Sequence, residues 1–173
     1  LSDKAAAKSS VLAANAKKAA PGLTDPGRRH YPCLQGALIM TVVHPVEFRS
    51  VAERSRFFAV LFPAAEETAV LDMVRLKKGE MRKARHHCWA FRGRGPGGEL
   101  IERSRDDGEV GHPGRVLLEL LRRDGLEGGL LVSRVFGGVK LGVGGVSRAF
   151  REAGEGAIAA FKENTKAKGK RQK

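Results

Sequence analysis

Apolar residues recur along this chain at two spacings, every second position and every third or fourth, and the segments carrying them alternate. Leu38, Met40 and Val42 would share one side of an extended backbone, which predicts a strand over Leu38–Val43 that ends, or lies at an edge, at Pro45. Ser55–Phe62 predicts a second strand, Arg56 leading an apolar run. Pro63 then breaks the chain, and Glu66 and Glu67 stand where acids suit the positive end of a helix dipole. Val70, Met73, Val74 and Met81 mark the buried stripe of that helix. Its other face carries Arg75, Lys77, Lys78, Arg82 and Lys83, which serves solubility or meets RNA. Alternation over Ala84–Arg92 predicts a strand with His86, Cys88 and Ala90 on one face and His87, Trp89 and Phe91 on the other. Gly93–Gly98 turns it back into a partner strand, Glu99–Arg105.

A second helix is predicted near His112-Pro113, with Pro113 at or near its first position and Val116, Leu117, Leu120 and Leu121 buried. Leu130, Leu131, Val132, Val135 and Phe136 then form an apolar run too short for a helix and bounded by glycines, hence a buried strand. Gly137, Gly138, Gly142, Gly144 and Gly145 follow, and after them Val146, Ala149, Phe150, Ala153, Ala157, Ile158 and Phe161 recur at helical spacing. Strand, glycine loop and helix thus succeed one another. Glycines allow close backbone approach and a helix start offers free N–H groups, so the loop with Lys140, Ser147 and Arg148 is a candidate anion cradle. The competing reading is a tight crossover that lets helix pack on sheet. Neither a Walker loop nor a complete dinucleotide fingerprint is present.

Composition adds size, charge and compartment. A chain of 173 residues, 42% hydrophobic, buries one core of ordinary size. Net charge is +13, of which residues 1–30 carry +4 and 162–173 carry +5, so an acidic partner such as RNA comes first to mind. The expected organisation is a basic Ala/Lys-rich extension over 1–36, a folded domain over 37–161 and a Lys-rich tail over 162–173. The chain opens on Leu1, as a processed or trimmed chain would. Its start resembles both organelle transit peptides and the basic extensions of RNA-bound proteins. Cys33 and Cys88 are too few for a disulfide scaffold, which suits a reducing compartment, and the absence of a long apolar run predicts solubility.

Three clusters invite chemistry. His86 and Cys88 suggest metal or nucleophilic roles, but His30, Cys33, His87 and His112 stand at no recognisable ligand spacing, so a core or site-lining role is preferred. Asp106-Asp107-Gly108-Glu109 is the one acid-dense loop. As an enzyme the chain would use Asp106, Asp107, Glu109 and His86 with a metal; helix capping and pairing with Arg103, Arg105 or Arg115 are preferred. No cofactor is expected.

Taken together, Ser55-Arg56-Phe57, the run from Ala84 to Phe91, Asp106 to Glu109 with Gly111 and Gly114, the run from Arg134 to Gly145, and Arg148-Ala149-Phe150 resemble the IMPACT/YigZ family over about Phe48 to Phe161. The resemblance implies a two-layer α/β (α+β) sandwich, a mixed sheet carrying helices on one face, like the second domain of a small-subunit ribosomal protein and RNase PH. It implies no settled enzymatic activity. Eukaryotic members regulate translation through a partner of the starvation-response kinase, and bacterial members are suspected nucleic-acid binders. Two positions depart from the family pattern: Glu109-Val110-Gly111-His112-Pro113-Gly114 replaces a Glu-Pro-x-Gly-Thr-Ala-Gly run, and Val135 replaces a Tyr.

The expectation is therefore a noncatalytic RNA-binding protein on a ribosome, as subunit or assembly factor, its partners rRNA and neighbouring ribosomal or assembly proteins. Mitochondria are preferred as its location, the cytoplasm being the alternative. Phosphate contacts are expected from Lys77, Lys78, Arg82, Lys83 and Arg85; from Lys140, Gly142, Gly144, Gly145, Ser147, Arg148 and Arg151; and from Lys166, Lys168, Lys170, Arg171 and Lys173. The alternatives are a translational-control regulator docking a protein partner and a metal-dependent hydrolase or nuclease. Trp89 is a stacking candidate with a preferred core role.

Overall fold

The computed structural model describes residues 39–170, with side chains as far as residue 167. The 1–36 extension, Cys33, Arg171, Lys173 and the side chains of Lys168 and Lys170 lie outside that range. Nine elements follow in order: β1 (Met40–Thr41), β2 (Val46–Ala52), β3 (Ser55–Phe62), α1 (Glu67–Glu80), β4 (His86–Arg94), β5 (Leu100–Arg105), α2 (Pro113–Arg123), β6 (Leu126–Val135) and α3 (Gly142–Lys170).

The last strand in sequence is the middle of the sheet, whose order is β2-β3-β6-β4-β5. All these pairs are antiparallel; β1 pairs β6 in parallel through Met40↔Leu126 and makes the sheet mixed. Central placement explains why Leu130, Leu131 and Val132 read as a continuous apolar run: both faces of β6 are buried. On one face Phe57, Ala59, Leu61, Cys88, Ala90, Leu130 and Val132 pack under α2 and α3. Phe150 meets Phe57 edge-on at 5.3 Å, a contact whose truncation to Ala typically costs about 3–5 kcal/mol.

α2 and α3 form the helical layer that the family resemblance implies. α1 lies on the opposite face, where Val70 and Val74 cover Val60, Phe62, Trp89, Phe91 and Leu131. Helices therefore cover both faces, because β3, β4 and β6 alternate two apolar sets instead of one. Trp89 is core, as preferred.

Three boundaries differ from expectation. The first strand shortens to Met40–Thr41, since after Val42 donates to Glu127 O at 2.9 Å the chain turns toward Pro45, which has no N–H to extend a ladder. β2 follows at once as an edge strand, its Glu47, Arg49 and Val51 facing out, and joins β3 through Glu53 and Arg54, both left-handed at φ 42° and 64°. α3 runs through the expected tail to Lys170. Residues such as Ala167, Lys166 and Glu163 have high helix propensity and extend a helix already nucleated by packed turns. Lys162 also pairs with Asp124 across to the end of α2.

Candidate functional site

Four segments meet at the end of the sheet where β6 stops: the start of β4, the acidic loop before α2, the β6–α3 loop and the first turns of α3. Between them lies a cavity of about 360 Å³ lined by Arg85, His86, Glu109, Val110, Arg134, Phe136, Lys140 and the α3 residues Gly142, Val143 and Val146. Two glycines permit this convergence. At Gly137 a Cβ would stand 2.0 Å from the Arg54 carbonyl, so the β2–β3 turn can press on the loop only because none is there. Gly111 takes a φ of 82°, and a Cβ there would be 2.6 Å from Ser147 Oγ, so glycine is needed for both shape and space.

The acidic loop is held by three separate sets of partners. Asp106 Oδ1 accepts from Gly114 N at 2.8 Å, which caps the first turn of α2, and its Oδ2 lies 3.3 Å from His112 Nδ1. Asp107 Oδ2 accepts from His87 N at 2.9 Å and Oδ1 from Lys78 Nζ at 3.3 Å. Glu109 Oε2 accepts from Arg134 Nη1 at 2.7 Å, a pair whose side chains are only 5% and 7% exposed. His86 Nδ1 is 3.0 Å from the Asp107 carbonyl, and its Nε2 is 3.9 Å from Glu109. The sequence pointed to capping and pairing here. Arg134 is the pairing arginine in place of Arg103, Arg105 or Arg115, because the loop folds against the far end of β6.

The loop's carboxylates are thus each engaged by protein partners. Among the described residues no three of His, Cys, Asp and Glu stand where they could hold a metal ion. Cys88 shares a face with His86 but is fully buried and donates to the Asp106 carbonyl at 3.0 Å. Burial, then the carboxylates of Glu109, Asp106 and Asp107, pushes its thiol well above the ordinary range, the reverse of what a nucleophile requires. His87 points to the other face, where it meets Ser133 Oγ at 2.8 Å; burial first, then Lys78, lowers its pKa.

The cations divide into committed and free. Lys77 donates to Glu47 at 2.8 Å and Glu80 at 2.9 Å, Lys78 pairs with Asp107, and Arg151 lies 3.7 Å from Glu119. A second, larger cavity of about 460 Å³ is lined by that Glu47–Lys77–Glu80 set, in which two carboxylates outnumber the lysine, so its size does not make it an anion site. Arg82, Lys83, Arg85, Lys140 and Arg148 are exposed and without a side-chain partner among the described residues. Arg85 and Lys140 share the smaller cavity. Arg54 joins them by the approach of its turn to Gly137, a long-range contact with no local signal in the sequence.

The glycine cradle is smaller than its five glycines suggest. α3 already begins at Gly142, so Gly144 and Gly145 belong to its first turn, and Ser147 Oγ is spent on Gly111 O at 2.7 Å and Val143 O at 3.2 Å. Lys166 is exposed near the far end of α3, away from the cavity-lining turns. The missed residue with the clearest place in the site is Phe136, read from sequence as buried and here 45% exposed over the cavity.

Fold and site together define an α/β domain whose acidic loop is held by protein partners and whose unpaired charge at the cavity is basic. The Impact N-terminal domain model matches residues 53–158, more than half of the chain, and the chain belongs to that family. It is 41% identical over 101 residues to an IMPACT family member from the pol 5' region of Thermus thermophilus, covering 58% of this chain and 52% of that protein. The IMPACT family member YvyE of Bacillus subtilis is 35% identical over 114 residues, covering 64% and 51%. The chain thus spans about half the length of these relatives. A crystal structure of a hypothetical protein superposes with a TM-score of 0.64 at 29% identity, over 69% of this chain and 59% of that one. Among the described residues no helix is long and apolar enough to cross a membrane.

Proposed function

We propose that this IMPACT-family chain is a noncatalytic RNA-binding component of translation, attached to a ribosomal particle as a subunit or assembly factor. One observation carries the reading: the acidic loop is engaged by protein partners while Arg54, Arg82, Lys83, Arg85, Lys140 and Arg148 remain exposed and unpaired, Arg85 and Lys140 on the cavity itself. Unpaired cations gain from phosphate, where the counterions they displace are released. Such contacts position a protein on RNA without reading sequence. The net charge of +13 supports a polyanionic partner.

Sedimentation of the full chain with ribosomal particles, mitochondrial first and cytosolic second, tests it at ~0.1 M and ~0.5 M salt. Co-migration at the lower salt with release at the higher is expected. A chain that stays at the top of both gradients sinks the proposal and favours a regulator that docks a protein partner.

A further inference from the structure

The rim of the cavity is basic, yet its lining is largely apolar. Val110 and Val143 are 52% and 60% exposed and Phe136 is 45% exposed, all three on the cavity, with Leu141 and Val146 beneath. Singly such residues are ordinary surface, but three gathered on one cavity make a contiguous apolar patch of the kind that lines binding grooves. Phe136 is also a prepared platform. The Arg134 guanidinium lies 5.6 Å from its ring centroid and 5.7 Å from that of Phe57, so a buried, ion-paired cation holds one side of the exposed ring. Arg134 Nε is buried without a hydrogen-bond partner in the same lining, an orphaned donor that an acceptor on a ligand would satisfy.

Three requirements follow for an occupant: a flat apolar body for Phe136, an acceptor for Arg134, and negative charge between Arg85 and Lys140. We propose that the cavity takes one unstacked nucleotide of single-stranded RNA, its base against Phe136 and its phosphate on Arg85 and Lys140. A nucleobase has the flat face and a ring or carbonyl acceptor, and the attached phosphate has the charge. About 360 Å³, near the low end of small-ligand sites, is enough for one base with its sugar. The inference rests on the RNA-binding reading and deepens it from backbone contact to recognition of an unpaired base.

The test measures anisotropy of labelled dodecameric oligouridylate, an abasic strand of equal length and an RNA duplex, each with the full chain at one salt concentration. Oligouridylate is expected to bind about 10-fold more tightly than the abasic strand, within the range for stacking one base. Phe136→Leu, which keeps apolar bulk, should remove that margin and leave duplex affinity unchanged. Phe136→Trp should keep it and report contact directly, as quenching of a second tryptophan beside the single buried Trp89. Equal binding of abasic and oligouridylate strands, or an unaffected Phe136→Leu variant, overturns the nucleotide site while backbone binding stands. If none of the three RNAs binds, the RNA reading fails as well. Binding of a leucine-containing acidic peptide that only Phe136→Leu abolishes, without RNA binding, overturns both in favour of a protein partner.

Discussion

Replacing Glu109 by Gln removes a countercharge from under the cavity and almost nothing else. Its partner Arg134 is 2.7 Å away, and with side-chain exposures of 5% and 7% neither group can turn to water. Breaking a buried pair from one side typically costs about 3–5 kcal/mol, because the remaining charge stays desolvated. Gln still accepts a hydrogen bond from Nη1, so the lower end, about 3 kcal/mol, is expected. That should lower the melting temperature by roughly 10 °C for a domain of this size. Replacing both partners, Glu109→Leu with Arg134→Met, removes the charge along with the carboxylate. It forfeits the interactions with Phe57 and Phe136, each worth roughly 0.5–1 kcal/mol, with the long hydrogen bond to Ser55 Oγ and the one from Val110 N to Glu109, and should stand within about 2 kcal/mol of the parent. Urea unfolding followed by the emission of buried Trp89, the only tryptophan, measures both variants. A Glu109→Gln variant within about 0.5 kcal/mol of the parent, or a double variant as unstable as the single, would refute the account of this pair as an isolated buried charge couple.

Two further outcomes concern protonation. Cys88 should resist iodoacetamide in the folded protein through pH 9 and label only on unfolding, as peptide mass spectrometry would show; rapid native labelling contradicts its burial beneath the acidic loop. Glu102 is held below its ordinary value of 4.5, chiefly by its hydrogen bond to Arg122 and also by the charges of Arg122 and Arg92, so its folded form favours the carboxylate. The stability it adds is fully present above about pH 5 and is lost as pH falls below 4.5 through the lower folded value. The gap between parent and Glu102→Gln should therefore close on acidification, and a gap independent of pH excludes this linkage.

Much of this molecule was legible in its sequence because strong periodicity survives folding. The strands Ser55–Phe62 and Ala84–Arg92, the helix opened by Pro113 and the strand–loop–helix run at the end each carry an uninterrupted apolar pattern. The structure places an element on each. β2 escaped because its alternation is short: after Val46, Glu47, Phe48 and Arg49, polar Ser50 falls on the inner side and apolar Val51 on the outer one. The end of α3 escaped because only Ala167 is apolar after Phe161, leaving propensity as the only signal. At the site, the single-segment features were readable: the basic residues, the glycines and the acidic loop. The pairing of Glu109 with Arg134, the exposure of Phe136, the bond of Lys77 to Glu47 and that of Ser147 to Gly111 depend on residues distant in sequence. No local spacing encodes those.

Equilibrium RNA binding as a function of salt reads how many phosphates the basic end of the sheet meets. For the full chain and its Arg85→Glu/Lys140→Glu variant, log Kobs for a single-stranded RNA would be plotted against log salt. If these two unpaired cations each neutralise a phosphate, the variant's slope should be shallower by about 1.4, at roughly 0.7 for each phosphate left unneutralised. The thermal stability of the fold should be unchanged, since neither side chain has a partner to lose. A variant that binds with the parental slope and affinity would show that RNA does not meet this end of the sheet, and would contradict the account.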